Sequence, residues 1–299
     1  MALLTVLATL ALAQNPKPAT SYVHFITHPN KTVEIQTAAV RLVADGKPVV
    51  WLVGAIHVGT RPYYMSIQRL LGYQEAVFYE GVRDNSTALS IADRQKDKPP
   101  AEQVTVYKTF SKALGLEFQP NVIDYSGLNW TNVDLTMEDL NKLNAAESGG
   151  KPTEFDQVKE ILKPDSPLAK QFAAAIGQMT PGMREAIKLI MIKSAGAEAM
   201  SEISASMDRI LIGARNKVVI DALAAASTQP KPPRSIGVFY GAGHMPSLQK
   251  TLTTQYGYHV DSKLWFGAAE ADPKKVDSTG KALLGMIGKF DPSTKKEHG

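Results

Sequence analysis

VVWLVGAIHVG, residues 49–59, runs five apolar residues into a glycine and sets a histidine three positions later. A short apolar run closed by glycine reads as a buried strand ending in a tight turn. Near the other end of the chain IGVFYGAGHMP, residues 236–246, does the same, so that Gly54 and His57 are echoed by Gly241 and His244. Between the two, AVFYEGV ends its apolar run in Glu80, and NVIDY ends its own in Asp124. Buried strands whose last residues are polar predict a sheet with chemistry along one edge, since ligands of open α/β sheets sit beyond the carboxyl ends of the strands.

Working outward, residues 21–48 alternate as β structure, with Asp45-Gly46 between apolar runs marking a hairpin. RPYYMSIQRLLGYQE and VTVYKTFSKALGL have helical spacing, and TMEDLNKL opens a helix capped by Thr136 with acids in its first turn. Residues 153–228 read as helical, broken at KPDSP and at TPGM, with Thr180 and Pro181 as an N-cap and first-turn pair. TQPKPPRS is a linker, PSLQKTLTTQYG a helix stopped by Gly257, and YHVDSKLWF a last strand. The expected fold is therefore α/β: a mixed sheet with flanking helices over residues 21–271, interrupted by an all-helical insert or cap at about 153–228. Residues 272–299 read as a mostly flexible tail with a short helix around 281–287.

The 299 residues are 44% hydrophobic and 21% charged, with a net charge of +4. That balance gives a globular chain and no nucleic-acid footprint, because the lysines gather in the last thirty residues. The first 13 residues form an apolar run ending in Ala11-Leu12-Ala13, the pattern of a signal peptide and its cleavage site. No other run is long and apolar enough to span a bilayer. The expectation is an exported chain, periplasmic or secreted. With no cysteine, disulfides, thiol catalysis and thiolate ligands are excluded.

His57, Glu80 and His244 make a set that holds a divalent ion, zinc, manganese or cobalt, while leaving positions for water. Such an ion lowers the pKa of its water and polarises a carbonyl. Glu80 is equally suited to be the general base. Asp124 is either a further ligand, a partner holding a histidine, or a turn-capping aspartate. Arg215 shares a helical stripe with Leu211, Val218 and Ala222, and a charge on an apolar stripe needs a partner. It either clamps a carboxylate or an oxyanion at the site, or pairs with Asp208 or Asp221.

WLVGAIHVGTRPYY, EAVFYEGV, ILIGARNKVVIDAL and VFYGAGHMPSLQKTLTTQYGYHV together resemble the TraB/PrgY/GumN family, which includes the Tiki-type metalloproteases. Gly54 and His57 match its early Gly-x-x-His, Glu80 its strand-end glutamate, Arg215 and Asn216 its Arg-Asn pair, and Gly241 and His244 its late Gly-x-x-His. Ala214 stands where an acidic residue is the family's habit, and the central helical region has no counterpart. The resemblance implies an α/β fold related to erythromycin-esterase and ChaN-like proteins. It also implies a metal-dependent, peptidase-like hydrolase of a peptide or protein substrate, with Glu80 and Arg215 catalytic. Two rival expectations use the same residues: a non-catalytic binder of peptide or haem, and a structural protein whose histidines are hydrogen-bonded fillers.

Other candidates carry blander readings. His24 and His28 lie four apart on a strand, which separates them by about 13 Å. Thr60, Arg61, Tyr63 and Tyr64 either reach a substrate or simply begin a helix. Met179, Met183, Met191, Met200 and Met207 are core packing before they are a peptide groove. The chain has no Gly-x-Ser-x-Gly elbow, no His-Glu-x-x-His and no phosphate-binding loop.

Overall fold

The computed structural model describes residues 22–83, 105–153, 155–156, 159, 171, 174–194 and 208–288. The expected leader, residues 1–13, the end of the expected tail, residues 289–299, and Met200 and Met207 lie outside the described residues. The fold is α/β, built on a seven-stranded mixed sheet. Its organising strand is the long β2 (Val33–Val43). β2 pairs antiparallel along its length with β9 (His259–Ala271). Its other edge is shared end to end: β1 (Val23–Thr27) takes residues 33–37 and β3 (Val49–Ala55) takes residues 39–42. Between them Ala38 N–H bonds the carbonyl of Tyr22 at 2.9 Å. The Asp45-Gly46 turn joins β2 to β3 with Gly46 at φ 69°.

From β3 onward the sheet is parallel: β8 (Ser235–Gly241) beside β3, then β5 (Ala76–Tyr79), then the three-residue β7 (Trp130–Asn132). β8 is buried in six of its seven residues, as expected for a strand covered on both faces. A small ladder, β4 (Val58–Gly59) with β6 (Glu117–Phe118), stands off the main sheet.

Helices cover the sheet with apolar stripes at helical spacing. α1 (Arg61–Gly72) buries Tyr63, Tyr64, Ile67 and Leu71, and α6 (Met245–Gln255) buries Met245, Leu248 and Leu252. α2 (Thr105–Leu114) leads into β6, and α3 (Met137–Ser148) begins in a capping box of Thr136 and Asp139. The expected helical insert contributes α4 (Pro181–Ser194) and α5 (Arg215–Ser227), but not as a separate cap. Ala186, Leu189, Val219 and Leu223 are part of the main core, so these helices are a layer on the sheet. Met179, Met183 and Met191 pack with Val58, Phe110 and Ile187.

One local expectation is corrected. NVIDY is not a strand: Gln119–Asn121 forms a 3-10 turn in which the Gln119 carbonyl accepts from both Val122 and Ile123, with Pro120 favouring the turn. Asp124 is thus not a strand end. The short helix expected around 281–287 forms as α7 (Ser278–Gly288), which starts three residues earlier. It crosses α4 so closely that Gly280 lies against the Gly182 carbonyl. Thr180 caps α4 and also bonds Asp277, whose other oxygen caps α7.

Gly54 stands where β3 is squeezed between β2 and the turn after β8. A Cβ there would lie 3.2 Å from Ala242 Cα and 3.3 Å from the Ala38 carbonyl oxygen. Gly54→Val is expected to lower stability by about 1–3 kcal/mol, read as a lower urea midpoint at unchanged slope. A midpoint equal to wild type would show that the strand spacing does not depend on this glycine.

Candidate functional site

The register brings the parallel strands to a common finish. Ala55 pairs with Gly241, and Tyr79 stands level with Phe239 on one side and Asn132 on the other. The next residues of each chain segment therefore emerge along one edge: His57 after β3, Glu80 after β5, Asp134 after β7, and the Ala242–His244 turn after β8.

The loop carrying His57 is pinned from below. Tyr63 and Tyr64, at the start of α1, are buried. The Tyr63 hydroxyl accepts from Ile56 N–H at 3.3 Å, and the Tyr64 hydroxyl donates to the Ile56 carbonyl at 2.9 Å. Thr60 caps α1 through the Tyr63 N–H. The two tyrosines are thus supports of the first motif and do not face a substrate. Beyond the loop, the His57 carbonyl accepts from Gln119 N–H, and the His57 ring meets the Tyr107 ring edge-on at 5.7 Å.

The late motif is held by Asn216. Its amide nitrogen donates to the His244 carbonyl at 3.2 Å, which turns its oxygen toward His244 Nδ1 at 2.7 Å. An amide oxygen only accepts, so Nδ1 carries the hydrogen and Nε2 presents its lone pair. That nitrogen faces Arg215 Nη1 at 3.4 Å and Glu80 Oε1 at 3.7 Å. Burial, then the nearby guanidinium, drive the His244 pKa from 6.5 down to about 4, against the pull of Glu80. The ring is neutral at physiological pH.

Arg215 lies at the centre. It opens α5 directly after a π-helical turn, Arg209–Ala214, and is 7% exposed. Nε and Nη2 grip Asp134 as a fork at 2.9 and 2.6 Å, and Nη2 also reaches Glu80 Oε1 at 2.6 Å. Nη1 faces the Leu211 carbonyl and His244. Asp134, with no exposed side-chain surface, accepts two further bonds from the N–H groups of Gly81 and Leu135. Glu80 Oε2 accepts from Gly241 N–H at 2.6 Å. Burial alone would raise the Glu80 pKa, but Arg215, the two histidines and the Gly241 N–H outweigh it and hold the carboxyl well below the usual range.

Of the residues expected at the site, Glu80, Arg215, Asn216, Gly241 and His244 share one hydrogen-bonded network. His57 lies close enough to act on Glu80 and His244 electrostatically. Gly54 shapes the strand beneath. Asp124 takes no part: it is exposed, and its Oδ1 accepts from the Ser126 N–H and hydroxyl in a turn of its own. Nor does Arg215 pair with Asp208 or Asp221; Asp221 binds Lys217 instead. Asp134 is the residue the sequence reading missed. Its only signal was a tryptophan and a valine shortly before an aspartate, just after a strand too short to show periodicity. His24 packs against Trp265 with the rings tilted at 55°, and His28 bonds Glu34, both away from the ends of the parallel strands.

In kind, the donors suit a divalent cation. Two carboxylates against one guanidinium leave one uncompensated negative charge beside two imidazoles. The His57 ring has no hydrogen-bond partner among the described residues. In arrangement, no three His, Asp or Glu side chains among the described residues are set to share an ion as they stand. A shared ion requires His57, Glu80 and His244 to draw together.

No model of a known family matches the chain, and no curated protein matches its sequence. Among the described residues no helix is long and apolar enough to cross a membrane.

The pKa shifts fix a pH response. Between pH 6.5 and about 4 the unfolded chain protonates His244 while the native site refuses the proton, so stability falls as pH falls through that window. The depressed Glu80 acts in the same direction, below its ordinary 4.5. In chelator-treated protein, His244→Gln is expected to remove up to about 3 kcal/mol of acid destabilisation between pH 6.5 and 4. Urea unfolding at several pH values reads this directly; parallel profiles for variant and wild type would contradict a buried neutral His244.

Proposed function

We propose that this chain is an exported, metal-dependent hydrolase of peptide or protein amide bonds, with His57, Glu80 and His244 as the metal-holding residues. The observation that carries it is the buried strand-end cluster of Glu80, Asp134, Arg215 and His244, with His57 of the early motif within electrostatic reach of Glu80 and His244. The resemblance to the TraB/PrgY/GumN family, carried by these same residues, points the same way, and the apolar leader supports export.

When bound, the ion would polarise the substrate carbonyl and activate water. The protein's part is preparation. Asn216 fixes the His244 tautomer and leaves Nε2 unprotonated at neutral pH. Arg215 and the Gly241 N–H keep Glu80 ionised, and Asp134 keeps Arg215 in place. Arg215 spends its Nε and Nη2 hydrogens on Asp134 and Glu80 and so steadies the carboxylates of the site; a metal on His244 Nε2 would release one hydrogen of Nη1, whose other partner is the Leu211 carbonyl.

A second reading, a binder of peptide or haem without turnover, is favoured by the engagement of both Glu80 oxygens and every Arg215 nitrogen. The two separate on metal content and turnover. Elemental mass spectrometry of protein purified without chelators is expected to give near-stoichiometric metal, lost in His57→Ala and His244→Ala. Glu80→Gln is expected to lower cleavage of a fluorogenic peptide pool at least roughly 100-fold. No metal after reconstitution with zinc, manganese and cobalt would overturn the hydrolase reading. Tight ligand retention without turnover would favour the binder.

A further inference from the structure

Three of the five Arg215 N–H groups are spent on Asp134 and Glu80, so negative charge developing on a substrate oxygen calls for a further donor at the site. The neighbouring polar hydrogens are mostly in use. The Tyr240 hydroxyl donates to the Val133 carbonyl and Asn216 Nδ2 to the His244 carbonyl, while the Tyr125 hydroxyl, which accepts from Gln119 Nε2, is buried among the rings of Tyr79, Trp130 and Phe239. Tyr107 differs: its hydroxyl has no hydrogen-bond partner among the described residues, and its side chain is only partly buried.

Its position is set by the small ladder. Val58, next to His57, pairs with Phe118, and the Tyr107 ring stacks on Phe118 at 5.5 Å and 16°. The same ring holds the edge-on contact with His57 at 5.7 Å. Tyr107 therefore stands on the His57 side of the cluster, within the electrostatic reach of Glu80. Burial first, and Glu80 second, push its pKa up to about 12, so it keeps its proton throughout the neutral range.

We propose that the Tyr107 hydroxyl is the substrate-facing hydrogen-bond donor of the site, placed to bind the oxygen of the amide carbonyl under attack. The proton stays on the tyrosine; the bond strengthens as the carbonyl oxygen gains charge and relaxes as the amine leaves. This rests on the hydrolase reading and adds to it a donor on the His57 side of the site.

The test compares wild type, Tyr107→Phe and Tyr107→Ala as full-length protein, each reconstituted in turn with zinc, manganese and cobalt. Phenylalanine keeps the ring against His57 and Phe118, so metal content and melting temperature serve as controls and are expected to be unchanged. Two probes are used: a fluorogenic peptide pool, and a dipeptide phosphonamidate that mimics the tetrahedral intermediate. Tyr107→Phe is expected to lower kcat roughly 100-fold with KM nearly constant, and to weaken phosphonamidate binding at least about 10-fold. Tyr107→Ala should add a loss of stability. Cleavage and binding by Tyr107→Phe equal to wild type would overturn the donor role and leave the hydrolase reading standing. A wild type that neither cleaves nor binds either probe would overturn both.

Discussion

A guanidinium buried between two carboxylates is the constraint on which the functional end of this fold depends. Removing such charges from water costs several kcal/mol for each ion, and only close, well-aligned partners offset it. Arg215 meets that condition through a fork on Asp134 and a third bond to Glu80, while Asp134 fills its remaining acceptor sites with backbone N–H groups. Because these partners come from α5, the end of β5 and the segment after β7, the ion cluster ties helix to sheet where the parallel strands finish. His244 enters the same cluster as a neutral ring, its tautomer fixed by the residue next to Arg215.

The twin motifs follow from this arrangement. Each delivers a histidine from a parallel strand, and the two strands are neighbours in the sheet, so motifs far apart in the chain end side by side. The glycines have distinct work. Gly54 permits close packing against Ala38 and Ala242, whereas Gly241 offers an N–H to Glu80. The asymmetry between the histidines is chemical: His244 is buried and locked, while His57 is partly exposed and held only by its loop and an aromatic edge. A site with one fixed and one adjustable imidazole, and a residual negative charge, is suited to a cation.

Much of this was legible in the sequence because buried parallel strands are continuous apolar runs, and a polar residue ending such a run stands out. His57, Glu80 and His244 were visible in that way, and Arg215 as a charge on an apolar helical stripe. Asp134 was not, because β7 has only three residues and shows no period. Asp124 drew the attention instead, after an apolar triplet that Pro120 turns into a 3-10 bend. Tyr107 looked like any core aromatic of an amphipathic helix; only the ladder between β4 and β6 places it beside His57. The helices expected to cap the site are a layer of the core, since helical periodicity reports a buried face and not what buries it.

The central claim is that Asp134 and Arg215 form one energetic unit at the strand ends. The direct measurement is a double-mutant cycle in unfolding free energy with Asp134→Asn, Arg215→Met and the pair together. Each single variant is predicted to lose about 3–5 kcal/mol, with the double variant little worse than the worse single. Losses that simply add, within about 0.5 kcal/mol, would contradict it.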